Sequence, residues 1–286
     1  MIIPANNNPD LCFSKHHGAG NDFLVQVDLG GTGPLLPELV RNLCDRRFGI
    51  GADGVIRVLD GVGSADLTMV LQNADGSQAE MSGNGMRCLA QAAVRSGLVA
   101  PPTFTVATAA GVKSVHFSPS ADPDTAWVTV SMGRAEFGDD QPQKFVDRRV
   151  RAVDMGNPHL VMFGPDLEDV DVAGIGAHLQ TVHPEGINVE FIALGDGPHT
   201  LDLRVYERGV GETLACGTGS AAAAAAAHSW GLVGTRVAVH NPGGVLEVTV
   251  GDDEIWLAGP VHRVGSVTVD PSAVLAAARP QTSPTT

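Results

Sequence analysis

Two Gly-x-Gly turns, each opening an Ala-rich helix, constrain this chain more than any other feature of its sequence. A shift of 134 positions lays Ser82-Gly83-Asn84-Gly85 on Cys216-Gly217-Thr218-Gly219, and Gly97-Leu98-Val99 on Gly231-Leu232-Val233. Without a gap, eight of the eighteen positions from 82 to 99 are identical. Ala and Gly are abundant here, so chance likeness between two Ala-rich helices is the plain alternative; the matched entrances and exits favour an internal repeat. Two copies imply two like domains rather than a solenoid. At each Gly-x-Gly turn the first backbone N–H groups and the positive end of the helix dipole face outward, so two such starts across one cleft make a cradle for a carboxylate.

Around the repeat, short β-rich runs dominate: Phe23 to Asp28, Val55 to Leu59, Leu67 to Gln72, Trp127 to Ser131, Leu160 to Phe163, Val189 to Ile192, Leu201 to Tyr206 and Val245 to Val250. Helices are expected over Leu35 to Phe48, Met86 to Gly97 and Ser220 to Gly231. The fold class is therefore α+β, in two pseudo-symmetric domains. The expected division is residues 1–130 with 266–280 for the first domain and 131–265 for the second, with 281–286 a disordered tail. The Asn/Pro-rich start and the Ser/Thr/Pro-rich end are expected to fray.

Composition narrows the function. Asp and Glu number 32 against 18 Lys and Arg, a net charge of -14, which is the wrong sign for gripping phosphate backbones and argues against a nucleic-acid partner. No run approaches the roughly 20 apolar residues of a membrane span, and the first ten residues lack the basic start of a secretory signal. Cys12, Cys44, Cys88 and Cys216 are too widely spaced for a zinc or redox motif, and His16-His17 lack ligand spacing, so free thiols, a cytoplasmic location and no metal are expected. Arg46-Arg47 and Arg148-Arg149 read as solvated charge. The three lysines, Lys15, Lys113 and Lys144, stand in no recognisable Schiff-base setting.

Six blocks carry a family resemblance: Lys15-His16-His17-Gly18-Ala19-Gly20-Asn21-Asp22-Phe23, Cys44 to Gly54, Asn73-Ala74-Asp75-Gly76-Ser77, Gly83-Asn84-Gly85-Met86-Arg87-Cys88, Gly156-Asn157-Pro158-His159 and Glu207 to Gly219. In their order and over nearly the whole chain they resemble the signature blocks of the diaminopimelate epimerase family. The resemblance implies a fold in which each domain is a curved, mostly antiparallel sheet around a central helix, with the site between the domains. It implies a two-base, cofactor-independent isomerase converting LL- to meso-diaminopimelate for lysine and peptidoglycan precursor synthesis, working as a homodimer. One cysteine thiolate removes the α-proton and a thiol on the opposite face returns one.

Carried over by position, the resemblance makes Cys216 one catalytic cysteine and makes His159 and Glu207 groups that tune the acid/base pair. Gly83, Asn84, Gly217 and Thr218 become donors to the reacting carboxylate, and Asn21, Asn73, Asn157, Asn188, Glu207 and Arg208 the substrate-binding set. The chain departs from the family at two positions. Gly54 stands where many relatives carry a glutamine that touches substrate. Ser82 stands where the family has its other catalytic cysteine, and a serine hydroxyl does not ionise usefully near pH 7. Ser82 admits three readings: an introduced substitution, a natural variant that still epimerises, or a change that accompanies a new substrate. The functions to be weighed are thus a diaminopimelate epimerase impaired at Ser82, a same-fold epimerase for another amino acid, and an inactive ligand-binding homologue. Cys88, six residues along its helix, reads as core.

Overall fold

Placement of the site depends on how the two copies of the repeat are wrapped. The computed structural model describes residues 10–31, 33–140 and 148–277. Lys144, the 281–286 tail and nearly all of the ends expected to fray lie outside the described residues.

The first half runs β1 (Leu11–Gly18), β2 (Asn21–Val27), α1 (Pro37–Cys44), β3 (Gly54–Asp60), β4 (Leu67–Asn73), β5 (Gln78–Ala79), α2 (Gly83–Arg95), β6 (Thr103–Thr108), β7 (Gly111–Pro119) and β8 (Thr125–Gly133). The second half repeats the plan as β9 (Glu136–Asp140), β10 (Arg149–Asp154), β11 (Pro158–Phe163), α3 (Val172–Val182), β12 (Asn188–Leu194), β13 (Thr200–Glu207), β14 (Gly211–Thr213), α4 (Gly217–Ser229), β15 (Arg236–Asn241), β16 (Gly244–Val250) and β17 (Ile255–Val269), closed by α5 (Pro271–Ala277).

Strand pairing closes each half into a barrel around its own helix. The first ring follows β1, β2, β3, β4, β6, β7, β8 and β17 back to β1. The second follows β9, β10, β11, β12, β13, β15, β16 and β17, then crosses to β8, which runs on into β9. Both rings are antiparallel except at equivalent places, β2 with β3 and β4 with β6 in one, β11 with β12 and β13 with β15 in the other. Strands β8 and β17 belong to both rings.

The two central helices start and stop alike for physical reasons. Each begins on an extended residue whose side chain accepts a hydrogen bond from the backbone three positions on, Ser82 from Gly85 N–H and Cys216 from Gly219 N–H. Each ends where a glycine turns left-handed, Gly97 at φ 70° and Gly231 at φ 74°. There the N–H of Leu98 returns to Ala93 O and that of Leu232 to Ala227 O, which terminates the helix and tucks a leucine beneath it. All residues from Gly217 to Ala227 are buried, and from Ala221 to Ala227 α4 packs on methyl groups, whereas α2 sends Met86, Leu89 and Cys88 into its core.

Sequence and structure differ most at α1, expected to run from Leu35 to Phe48. Pro37 occupies its first turn, and at its far end Asp45 Oδ1 accepts both Arg47 N–H and Phe48 N–H at 2.7 Å, folding the chain out of the helix. Outside the barrels, α1 covers Phe13, Leu24 and Val55, and α3 covers Val150, Leu160 and Phe191.

Candidate active site

The starts of α2 and α4 abut. A Cβ added at Gly217 would come 3.0 Å from Gly83 Cα, and one added at Gly83 would come 2.7 Å from Leu257 Cδ2 on β17, so any side chain at this junction would have to push its neighbours aside. A cleft of about 530 Å³ opens over it. Ser82, Gly83, Asn84, Cys216, Gly217 and Thr218 line the cleft together with Asn21, Asn73, Asn157, Asn188, Glu207 and Arg208. His159 and Gly54 do not reach its wall.

Side chains behind the helix starts hold them in place. Asn84 donates through Nδ2 to Ala215 O at 3.1 Å and to Asn21 Oδ1 at 3.3 Å, and its own Oδ1 accepts from Arg87 at 2.6 Å. One amide therefore ties α2 to the residue preceding Cys216 and to β2. Arg87 is fully buried, and its other hydrogen bonds go to the carbonyls of Gly83 and Pro260, both at 3.3 Å. Burial lowers its pKa to about 10, and among the described residues it has no carboxylate partner. A cation thus lies beneath the start of α2, where it adds to the field of the helix N-terminus.

Asn21 is oriented from the other side. Its Nδ2 donates to Asp53 Oδ2 at 2.7 Å, Asp53 Oδ1 meets Arg46 at 2.7 Å, and Arg46 also pairs with Asp22 at 2.6 Å. Burial pushes the Asp22 carboxyl up, but Arg46 and Lys15 outweigh it and hold the group below the usual range. Arg46 is exposed, as expected of solvated charge, and also clamps this network. Arg149 is likewise exposed, with its guanidinium 4.8 Å over the Trp230 ring.

Around Cys216 the groups are titratable. The thiol accepts Gly219 N–H at 3.3 Å and lies 3.5 Å from Thr218 Oγ1. Burial raises its pKa well above the ordinary thiol value, and the carboxylates of Glu207 and Glu190 raise it further, so it rests protonated. Burial also raises Glu207, while hydrogen bonds from Thr213 and Cys216 hold it down. Deeper still, His159 Nδ1 meets Glu190 Oε1 at 2.6 Å and His159 Nε2 donates to Asn157 Oδ1 at 3.0 Å, with both His159 and Glu190 fully buried. Among the described residues Glu190 Oε2 has no hydrogen-bond partner. The sequence reading missed Asp53 and Glu190. The signal for Glu190 was a lone acid inside the run Val189 to Ile192, whose other residues are apolar.

Asn188 joins this side of the cleft to Arg208. Its Nδ2 donates to Pro158 O at 3.0 Å, and its Oδ1 accepts the Arg208 backbone N–H at 3.0 Å. The Arg208 side chain is exposed at the mouth, and of the described residues lining the cleft it alone carries a positive charge. Asn73, across the cleft, donates to Ser77 Oγ at 3.1 Å within its turn.

Comparison with known proteins agrees with this architecture. The family profile described as Diaminopimelate epimerase matches residues 13–138 and 151–264. The diaminopimelate epimerase of Mycolicibacterium smegmatis is 42% identical over 91% of this chain and 97% of its own length. That of a Synechocystis species is 39% identical over 90% and 98%. Among solved structures, a hydroxyproline epimerase from Agrobacterium vitis superposes with a TM-score of 0.71 at 18% identity, covering 93% of this chain and 94% of its own. A PhzF-family phenazine biosynthesis protein from Bacillus anthracis gives 0.70 at 15%, covering 92% and 99%. These two likenesses are of fold, but the extent and level of the sequence matches go further: this chain belongs to the diaminopimelate epimerase family.

Proposed function

We propose that this chain is an isomerase that binds diaminopimelate in the cleft and interconverts its LL and meso forms by proton transfer at one α-carbon. The observation that carries the reading is the junction of two helix N-termini beneath a cleft walled by Asn21, Asn73, Asn157, Asn188, Glu207 and Arg208. Backbone N–H groups fixed at Gly83, Asn84, Gly217 and Thr218 stabilise the charge that develops on the reacting carboxylate when its α-proton leaves. The wall suits a substrate that is zwitterionic at both ends: Arg208 takes the distal carboxylate and acidic groups such as Glu207 and Asp53 attract ammonium.

In the chemical step the Cys216 thiol passes its proton to Glu207, whose carboxylate lies beside it and whose proton affinity is raised by burial. The thiolate then removes the α-proton from its face of the substrate. The same reading extends to a cytoplasmic homodimer, which light scattering and cell fractionation test. Four free cysteines, including the exposed Cys12, fit a reducing compartment.

The test of substrate is calorimetric titration with meso-diaminopimelate, with turnover of LL-diaminopimelate followed by chiral chromatography in Ser82→Cys. Binding by the chain as it stands, weakened roughly 10- to 100-fold in Arg208→Met, together with turnover in Ser82→Cys, supports the reading. No binding to the chain and no turnover in Ser82→Cys would transfer the site to a different amino acid.

A further inference from the structure

The pseudo-symmetry pairs every residue of one half-site with a counterpart in the other, and the strand registers fix the pairing. Gly54 lies opposite Phe23 in β2 and Asn73 in β4; 134 positions on, Asn188 lies opposite His159 in β11. In the same frame Ile56 corresponds to Glu190, Asn73 to Glu207, Ala79 to Thr213 and Ser82 to Cys216. The packing repeats the correspondence, since a Cβ on Gly85 would meet Ile56 Cδ1 at 3.0 Å and one on Gly219 would meet Glu190 Oε1 at 2.7 Å.

Each proton-bearing group behind α4 therefore has a partner behind α2 that cannot exchange a proton near neutral pH. The counterpart of Cys216 is a hydroxyl, that of Glu207 an amide, that of Glu190 an aliphatic chain and that of His159 a phenyl ring. Ser82 Oγ is already engaged with Gly85 N–H at 3.0 Å, and Asn73 with Ser77. No side chain among these counterparts could take up the proton that an attacking serine hydroxyl would have to lose.

We propose that proton traffic at the substrate carbon is confined to the Cys216 face: this chain exchanges the α-hydrogen of one epimer with solvent, with retention, far faster than it inverts the centre. The proposal rests on the diaminopimelate reading above. In the step the Cα–H bond breaks, its proton forms S–H on the Cys216 thiolate, and the electron pair is delocalised into the carboxylate held by the helix starts. The sulfur-bound hydrogen scrambles with solvent through Glu207, and a solvent-derived hydrogen returns from sulfur to the same face. The net change is replacement of one hydrogen by another, with no oxidant or reductant. His159 and Glu190 do not line the cleft: Glu190 packs beneath Gly219, and His159 meets the cleft through Asn157.

The experiment incubates LL- and meso-diaminopimelate separately with the intact chain in deuterated water and follows α-deuterium by mass spectrometry and configuration by chiral chromatography. The expected result is deuterium in one of the two epimers with configuration retained and little in the other. Inversion should be slower than exchange by about 10²–10⁴-fold, the usual worth of a positioned acid or base. In Ser82→Cys, both epimers exchange and inversion rises to within tenfold of exchange. Inversion that keeps pace with exchange in the unaltered chain overturns the proposal while leaving the substrate reading intact. Exchange in neither epimer, with turnover in Ser82→Cys, also overturns it. Silence in both proteins defeats the diaminopimelate reading itself.

Discussion

Helices α2 and α4 have the same length, the same start and the same exit, and each fills an eight-stranded ring, yet they fill it differently. Helix α2 carries Met86, Arg87, Cys88, Leu89 and Gln91 where α4 carries Ser220, Ala221, Ala222, Ala223 and Ala225. The polar side chains on α2 are used structurally: Arg87 reaches Asn84 and Pro260, and Gln91 holds His16 at 2.8 Å. Helix α4 has nothing titratable on its buried face, and its half places the acids on the surrounding strands. The fold thus fixes where a helix starts and leaves open which element carries the charge.

The largest break in the comparison comes from chemistry. Cys216→Ala removes the one thiol of the junction, and α-deuterium exchange is expected to fall by about 10²–10⁴-fold; mass spectrometry of substrate reads it. Next is Leu89→Ala, which gives α2 the side chain that α4 has at Ala223 and leaves a cavity in the first ring. A loss of about 2–5 kcal/mol is expected in urea unfolding.

The third prediction concerns pH. Burial lowers the His16 pKa from 6.5 to about 4, so below pH 6.5 the unfolded chain takes up a proton that the folded chain refuses. Stability contributed by the neutral ring is therefore lost as pH falls from 6.5 towards 4, by about 2–3 kcal/mol. That part of the slope should be missing in His16→Gln, as seen by denaturant titration of both proteins at pH 6.5 and 4.5. The smallest effect expected is for the reciprocal exchange, Ala223→Leu, which overpacks the second ring and costs about 1–3 kcal/mol. An Ala223→Leu protein as stable as the parent would show slack in the second ring and weaken the contrast.

Much of this was legible in the sequence because it is local. Gly-x-Gly entrances, Gly-Leu-Val exits and alternating strands depend on neighbours a few positions apart, and the 134-residue shift survives as the offset between α2 and α4. Helix α3 escaped notice because Gly174 and Gly176 interrupt its apolar pattern. Gly176 is there for packing, since a Cβ would lie 2.2 Å from the Tyr206 ring. Long β17 was obscured by Pro260 and by two glycines in its course. The roles of Arg46, Asp53 and Glu190 depend on partners 20 to 30 or so residues away, which no local window brings together.

Strands β8 and β17 also bear on how the molecule is made. On the ribosome, β1 must wait for β17, its partner in the first ring and the last of the described strands to be made. The second ring needs the same strand, beside β16. Neither ring can close before β17 has been made. Their junction, where Gly83 meets Gly217 over Leu257 of that last strand, is consequently formed only when both are complete.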